Sequence, residues 1–423
     1  MKILLVGSGG REHALVRKLA QSPEADRIFC APGNAGTQEI GENVSISAND
    51  LPKLTRFAKG NGIDLTVIGP DDPLAAGIVD LFEAEGLRVF GPSKKAARLE
   101  ASKIFAKELM RAEKIPTAQA RTFSSSAEAL NYCDKVALPV VIKADGLALG
   151  KGVVVAHDRA GARQAVRSMM EERAFGEAGR RIIMEECLRG GECSVHALVS
   201  GKSFRMLATA RDHKRAHDGD EGPNTGGMGA VSPADNWNAE RESNFTSSIM
   251  QPLLDGLTRN ATMFRGLLFP GLMITDDELR VLEFNCRFGD PETQAILPRM
   301  KSDLLPLLIA TIEGRLENVA IEFDPRIAVT VILASGGYPG KYETGKPIEG
   351  LENGARLPEV QIFHAGTKRQ DRKTVTSGGR VLAITVLGDS VEQARERAYT
   401  AINQIHFDGC HFRRDIALRP AHT

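Results

Sequence analysis

The stretch PVVIKADGLALGKGVVV, residues 139–155, joins two apolar runs through a glycine-rich turn. Both runs read as strands, and Gly146, Gly150 and Gly152 give the turn freedom to present backbone N–H groups. Lys143 stands near the end of the first run, where an ammonium is costly unless it meets an anion. A strand, a flexible glycine loop and a second strand can fold over phosphates, with backbone amides, Lys143 and Lys151 as donors. The alternative is a plain hairpin whose lysine reaches solvent along its aliphatic stem.

The flanking segments are short and mixed. AQARTF, RIIMEECL and the pair ECSVHALVSG and KSFRMLATA read as strands, and SAEALNYCDKV and AGARQAVRSMMEER as helices, so this middle region is α+β. Just upstream lies one helical pattern, KKAARLEASKIFAKELMRAEKI, closed by Pro116. The N-terminal region differs. KILLV, RIFCA, IDLTVIGP and RVFGPS are strand runs separated by the helical patterns REHALVRKLAQS, DLPKLTRFAKGNG and PLAAGIVDLFEAEG. This βαβ alternation predicts a parallel, doubly wound sheet with ligands at the carboxyl ends of its strands, hence at GSGGRE, APGNAGT and GPDDPL. Near the C-terminus RIAVTVILAS, VLAITVLG and the helix SVEQARERAYTAINQI predict a further α+β unit.

The 423 residues carry zero formal net charge, which argues against a general polyanion partner such as nucleic acid. No apolar run approaches the roughly 20 residues of a membrane helix. A glycine turn follows MKILLV where a signal peptide would continue, so a cytoplasmic address and no membrane partner are expected. The six cysteines form no C-x-x-C pair and read as reduced residues in or near a core.

Three further motifs bear on chemistry. In GSGGREH, Gly7 and Gly9 fit the first two positions of a dinucleotide fingerprint. Glu12 stands where the third glycine belongs, and RIFCAPGN ends without the acid that binds a nicotinamide ribose. A dinucleotide-binding oxidoreductase rests on this motif alone, whereas a turn opening a helix also suits a phosphate. GKYETGKP, residues 340–347, begins like a P-loop, but Pro347 replaces the hydroxyl residue that would hold magnesium, so a surface loop is expected. In VLEFNCRFGDPE, Glu283 and Asn285 are two apart on a strand and face one way, with Arg287 continuing that face. Carboxylate and amide oxygens suit magnesium bound to phosphates, and arginine suits a bidentate anion contact. Val281, at the same parity, marks the end of the core face; a row of satisfied salt bridges is the alternative.

Lys103 opening a helix, Lys143 before the glycine hairpin, the paired acids of MEECLRGGE and the late EFNCR strand together resemble the ATP-grasp ligases. GREHAL, APGNAGT, LEASK, IKADGLALGKGV, DHKRAHDGDEGPNTGGMGA, EFNCRFGDPETQ and LASGGYPGKY resemble, in order and over essentially the whole chain, the phosphoribosylamine–glycine ligase (glycinamide ribonucleotide synthetase) family. The resemblance implies an N-terminal α/β substrate-binding domain over 1–101, a two-lobed ATP-grasp domain over 102–315 with its lid at 118–188, and a small C-terminal α+β domain over 316–423. It implies de novo purine biosynthesis. In that family's reaction, which the resemblance implies here, ATP activates glycine as glycyl phosphate with release of ADP, and 5-phosphoribosylamine displaces phosphate to give glycinamide ribonucleotide. Magnesium, or manganese, is the implied metal, and a monomer or weak homodimer the implied assembly. Another ATP-grasp carboxylate–amine ligase is the nearest alternative, but it would lack PNTGGMG and CRFGDPETQ.

Carried onto this sequence, the resemblance gives Arg287 the glycine carboxylate and then the acyl phosphate, and Asp212 or Asp290 the glycine ammonium. Lys103, Lys143, Gly150, Lys151, Lys214, Arg215 and Asn224 would face the nucleotide, Glu185, Glu186, Cys187 and Leu188 would line the adenine, and Glu192 would bind the ribose hydroxyls. Glu283 and Asn285 would hold the metal. Gly9, Gly10, Arg11, Glu12, Asn34 and Asp71 would form the phosphoribosylamine pocket. Gly226, Gly227 and Gly229 would let backbone amides approach the reacting carboxylate. The sequence departs from the family at Ser8 (usually asparagine), Asp71 (usually glutamate) and Gly191 (usually glutamate), and LLFPGLMI lacks the extra metal-binding acid of many ATP-grasp enzymes. RDHKRAHDGDEGPNTGGMGAVSPA, residues 211–234, fits no helical or strand period. It reads as an irregular loop that orders over ATP and glycine, with the acids of residues 218–221 facing solvent.

Overall fold

Strands Lys2–Gly7, Arg27–Pro32, Glu42–Asn43, Leu65–Ile68 and Val89–Phe90 form one parallel sheet in the computed structural model, which describes residues 1–148, 152–276 and 278–418. Lys2–Gly7 lies between Arg27–Pro32 and Leu65–Ile68. The order of the strands reverses here, so the carboxyl ends of Lys2–Gly7 and Leu65–Ile68 open a crevice at a topological switch point. Ile3, Leu4, Leu5 and Val6 are fully buried because apolar residues cover both faces. Leu15 and Leu19 of helix Gly10–Leu19 pack with Ile3 and Leu5, while Leu54 and Phe82 pack with Leu4 and Val6. PLAAGIVDLFEAEG is not the single helix its pattern predicts. Gly77, at φ +97, stops Asp71–Ala76 and starts Ile78–Ala84, a conformation that favours glycine.

The long pattern over residues 94–115 also breaks. Ser102 is extended, and its hydroxyl caps Lys103–Ala112 by accepting the Phe105 N–H at 3.2 Å. Asp145 Oδ1 accepts from Ser102 Oγ at 3.0 Å and from the Ile104 N–H at 2.8 Å. The break is therefore held by the aspartate that follows Lys143, a tertiary partner that helical periodicity cannot reveal.

The opening hairpin is antiparallel as expected, with Lys143 opposite Val153. It belongs to a four-stranded sheet in the order Ala120–Phe123, Ile182–Glu186, Val140–Ala144, Val153–Ala156, whose Ile142 and Ile182 share a core with Ala129 and Val166 of helices Ser126–Cys133 and Arg159–Val166. ECSVHALVSG divides into Gly191–Ser194 and Ala197–Ser200, and both pair with Arg265–Ile274, which also carries Leu279–Asn285. Residues 211–234 are not irregular throughout. Arg211–Asp212 and Gly229–Ser232 join the sheet of Ile327–Ser335, Arg380–Gly388 and Val360–His364, and Arg215–His217 pairs with Glu221–Asn224. These strands are too short for periodicity to register. All six cysteines are free, four of them buried. Among the described residues no helix is long and apolar enough to cross a membrane.

Candidate functional site

Lys143 is buried, with Nζ 2.9 Å from Glu185 Oε2 and 3.1 Å from the Leu282 carbonyl. Lys107, from helix Lys103–Ala112, approaches Glu185 Oε1 at 3.2 Å. One buried carboxylate thus faces two buried ammonium groups, an arrangement with net positive charge. Burial lowers Lys107 to about 8 despite the pull of Glu185. Lys103 Nζ donates to the Gly146 carbonyl at 3.1 Å, bringing it to the glycine turn. Gly150 and Lys151 lie outside the described residues. Glu186 points the other way, accepting the Gln119 N–H at 2.8 Å and pairing with Arg280 at 3.1 Å. Cys187 and Leu188 follow it, half-buried, at the end of the strand. Glu192 pairs with Lys214 at 2.8 Å. Asn236 Nδ2 lies 2.7 Å from where a Cβ on Gly191 would stand, so a second glutamate there would need Asn236 to move.

The face of Leu279–Asn285 is set by a β-bulge. Glu283 pairs with Gly271 and Val281 with the next residue, Leu272, leaving Leu282 as the extra residue. Val281 therefore falls into the core with Phe284 and Cys286, off the face it was expected to share with Glu283. The bulge also leaves the Leu282 carbonyl to Lys143. Burial pushes the Glu283 carboxyl up, but Lys214, Lys103, Lys143 and Arg287 outweigh it and hold the group below its ordinary value. Asn285 Oδ1 accepts from Arg287 Nη2 at 3.2 Å. The same guanidinium pairs with Glu100 at 2.9 Å, and its Nε is buried with no hydrogen-bond partner.

At the crevice, Glu12 folds back over its own turn. Its Oε2 accepts the Gly9 N–H at 2.6 Å, and its side chain would lie within 2.9 Å of a Cβ on Gly7, Gly9 or Gly69. That carboxylate occupies the concavity where a dinucleotide pyrophosphate would need open amides. Gly10 faces Gln294 Nε2, 2.6 Å from where its Cβ would stand. Arg11 donates to Glu12 Oε1 at 2.6 Å and to the Phe288 carbonyl at 3.2 Å, tying the crevice to the Arg287 segment. Asn34 Nδ2 donates to the carbonyls of Ser8 at 2.9 Å and His364 at 2.8 Å, while its Oδ1 accepts from the amides of Gly36 and Thr37, so its side chain is engaged in holding the turn. Asp71 begins its helix beside the Arg287–Glu100 pair and acts electrostatically on both.

Residues 211–232 close over this from the C-terminal sheet. Asp212 is pushed well above its ordinary value by burial and by nearby Glu292, and its Oδ1 is buried without a partner. Gly227, at φ +108, lets the chain pass Asp212 and Pro291, whose atoms would lie 2.5 and 2.4 Å from a Cβ. A Cβ on Gly226 would meet the Arg380 guanidinium, and one on Gly229 the Thr330 carbonyl. Arg380 Nη1 donates to the carbonyls of Gly226 at 2.6 Å and Asp290 at 2.9 Å, and Nη2 lies 3.2 Å from Asp290 Oδ2. Burial raises Asp290, but Arg380 and Arg11 hold it below its ordinary value. Arg215 donates to the Gly222 carbonyl at 2.8 Å across the hairpin, opposite Asn224. The acids after it are not simply solvent-facing. Asp220 pairs with buried Arg413 at 2.7 Å, and Asp218 accepts the Arg414 N–H at 2.7 Å.

Sequence comparison bears on this arrangement directly. The N domain of phosphoribosylglycinamide synthetase matches residues 1–100, its ATP-grasp (A) domain residues 101–293 and its C domain residues 328–419. The chain belongs to the phosphoribosylglycinamide synthetase family. A phosphoribosylamine–glycine ligase of Caldanaerobacter subterraneus subsp. tengcongensis is 48% identical over 417 residues, 99% of each chain. The crystal structure of phosphoribosylamine–glycine ligase from Thermotoga maritima superposes with a TM-score of 0.86 at 34% identity, covering 98% of this chain and 100% of that one. A biotin carboxylase from Campylobacter jejuni shares the fold at 14% identity, with a TM-score of 0.73 over 99% of this chain and 94% of that one. As a member of the synthetase family the chain is an ATP-dependent carbon–nitrogen ligase of purine biosynthesis that ligates glycine. Its fold is the expected one, a parallel N-terminal sheet, an ATP-grasp core and a C-terminal α+β unit. ATP use with a divalent metal comes with the ATP-grasp domain. The oxidoreductase alternative finds no support.

In this synthetase, sequence reading missed four groups at the site. Glu100 and Lys107 stand on either side of Lys103, three and four residues away; helical spacing from Lys103 was the available signal for Lys107, whereas Glu100 lies on the preceding helix, beyond the break at Ser102. Glu292, in the quoted GDPE, accepts from Ser194 Oγ at 3.0 Å. Arg380 opens a strand of the C-terminal sheet, and nothing local distinguishes it from a solvent-facing arginine.

Proposed function

We propose that the chain joins glycine to 5-phosphoribosylamine through glycyl phosphate, using the division into 1–101, 102–315 and 316–423. The observation that carries this reading is Arg287. A buried guanidinium N–H without a partner sits between the Glu283–Asn285 pair and the N-terminal crevice, and such a donor calls for an anion. Arg287 holds the glycine carboxylate and then the acyl phosphate. Asp212 and Asp290, beside Gly227 and Arg380, are the groups for the glycine ammonium; Asp290, held ionised, is the better placed electrostatically.

Lys103, Lys143, Lys151, Lys214 and Arg215 take the nucleotide's phosphate charge, aided by Lys107 and by the amides around Gly150. Two unit charges 4 Å apart interact by roughly 4 kcal/mol at an effective dielectric near 20, so several cations are needed. Residues 185–188 line the adenine, Glu192 binds the ribose, and Asn224 adds an amide contact. The donor set of Glu283 and Asn285 fits magnesium, or manganese, because an ionised carboxylate and an amide oxygen leave the remaining positions to phosphate oxygens and water. Bound there, the metal would neutralise charge on the phosphates. In the first step a glycine carboxylate oxygen attacks the terminal phosphorus and the bond to ADP breaks. In the second the amine nitrogen attacks the acyl carbon, loses a proton, and phosphate leaves. The protein's part is to align, neutralise and exclude water. Gly9, Gly10, Arg11 and Asp71 present the phosphoribosylamine, with Glu12 and Asn34 fixing the turn. Gly226 and Gly227 let the covering loop approach the reacting carboxylate, and Gly229 seats it on the C-terminal sheet. We further propose a cytoplasmic monomer or weak homodimer with small-molecule substrates alone.

Product analysis by mass spectrometry tests the reading. Wild type with ATP, magnesium, glycine and phosphoribosylamine should yield glycinamide ribonucleotide, and Glu283→Gln and Arg287→Ala should yield almost none. Ligation of another small carboxylate in preference to glycine would overturn it.

A further inference from the structure

A second cleft, of about 1010 Å³, opens between helix Gly10–Leu19 and residues 347–374. None of the residues assigned above to ATP, glycine or phosphoribosylamine lines it. The helix contributes His13 and Arg17, which are four residues apart and so share a face. His13 is 3% exposed, and its Nδ1 accepts the His364 N–H at 2.8 Å. Burial, then His364 and Arg17, hold the ring well below its ordinary value and so neutral, which puts its one proton on Nε2. That Nε2–H has no hydrogen-bond partner among the described residues. Arg17 makes no hydrogen bond or ion pair there either; its guanidinium lies 5.7 Å from the Phe363 ring. Glu39, the carboxylate nearest it in effect, is already paired with Arg369 at 2.5 Å.

The His13 Nε2–H and the Arg17 guanidinium, one turn apart and both without a protein partner at the cleft, can donate together to one anion. Arg372 and Lys373 add two further cations to the lining. The other wall is of different character: Ile348, Val360 and Ile362 are apolar, and Glu349 and Glu352 beside them can only accept hydrogen bonds when ionised. We propose that this cleft binds a nucleoside monophosphate, with its phosphate on His13 and Arg17, its base on the apolar wall and its hydrogen-bond donors toward Glu349 and Glu352. A free phosphate would use the cations and leave most of the volume and the apolar wall uncovered, whereas drug-sized ligands fill clefts of roughly 300–1,000 Å³.

Because the cleft shares no residue with the nucleotide site, calorimetry with guanosine 5′-monophosphate is run with ADP and magnesium in excess. One nucleotide per chain is expected to bind under these conditions. Arg17→Ala should weaken it at least about tenfold, and Arg17→Lys should recover part of the loss. Lys373→Ala, an exposed position, should weaken it less and serves as the second variant if Arg17→Ala does not fold. Both variants should retain glycine-dependent ligation. Loss of binding when ADP is present, equal binding by wild type and Arg17→Ala, or inorganic phosphate binding as tightly as the nucleotide would each overturn the proposal.

Discussion

Replacing Glu100 by glutamine should make the protein more stable and less active, with the stability gain confined to higher pH. Glu100 is 9% exposed, accepts the Cys286 N–H at 2.7 Å and pairs with Arg287 at 2.9 Å. The gross attraction at that separation is roughly 6 kcal/mol at an effective dielectric of about 20. Removing a carboxylate from water costs several kcal/mol, and near it Asp71 and Glu283 add repulsion. Burial wins, and the carboxyl is raised from 4.5 to about 7. Between these two values the native state binds the proton and the unfolded chain releases it, so stability falls as pH rises through that window. At about 1.4 kcal/mol per pH unit, ionising Glu100 costs the fold on the order of 3 kcal/mol. Glutamine cannot ionise and keeps a single acceptor oxygen, so with the Cys286 N–H bound to it the amide NH2 faces Arg287 Nη2. Urea unfolding should therefore give nearly equal stabilities for variant and wild type at pH 4.5, and a variant more stable by on the order of 3 kcal/mol above about pH 7. Arg287 loses its countercharge and fixed orientation, so kcat should drop about 100-fold. A stability difference that does not change with pH, or a wild type that is the more stable at high pH, refutes the reasoning.

Other substitutions separate the roles. Arg287→Ala should abolish turnover, whereas Asp71→Ala should mainly raise the KM for phosphoribosylamine; equal effects on both parameters in both variants would break that division. Arg380→Ala should lower kcat about 100- to 1,000-fold with the KM for ATP nearly unchanged, because its donors hold Gly226 and Asp290 rather than the nucleotide site. Arg413→Met removes the cation paired with Asp220 and Asp415, although Asp415 keeps the Gly219 N–H, and should cost about 2 kcal/mol in denaturant unfolding, with faster proteolytic cleavage within residues 217–222. Unchanged cleavage would mean the latch does not order the hairpin.

The N-terminal sheet was legible because its βαβ alternation is strong and its strands are buried on both faces. The glycine hairpin, Lys143, Glu283 and Asn285 were legible because each carries a local signal, a strand period interrupted by glycine or by charge. What local pattern could not show is anything set by a distant partner. Asp145 breaks a continuous helical pattern at Ser102, and Arg413 captures acids that composition assigns to solvent. The bulge at Leu282 reverses the parity of Val281 with no proline or glycine on its own strand to announce it; Pro270 and Gly271 lie opposite, on the paired strand. Residues 211–234 looked irregular because their strands run only two to four residues and are stabilised by the C-terminal sheet.

The central claim is an acyl phosphate made from glycine. Glycine labelled with heavy oxygen in its carboxylate, supplied with ATP, magnesium and phosphoribosylamine, tests it directly. One labelled oxygen per turnover should appear in inorganic phosphate. Unlabelled phosphate, or ADP released at the same rate without glycine, would contradict it.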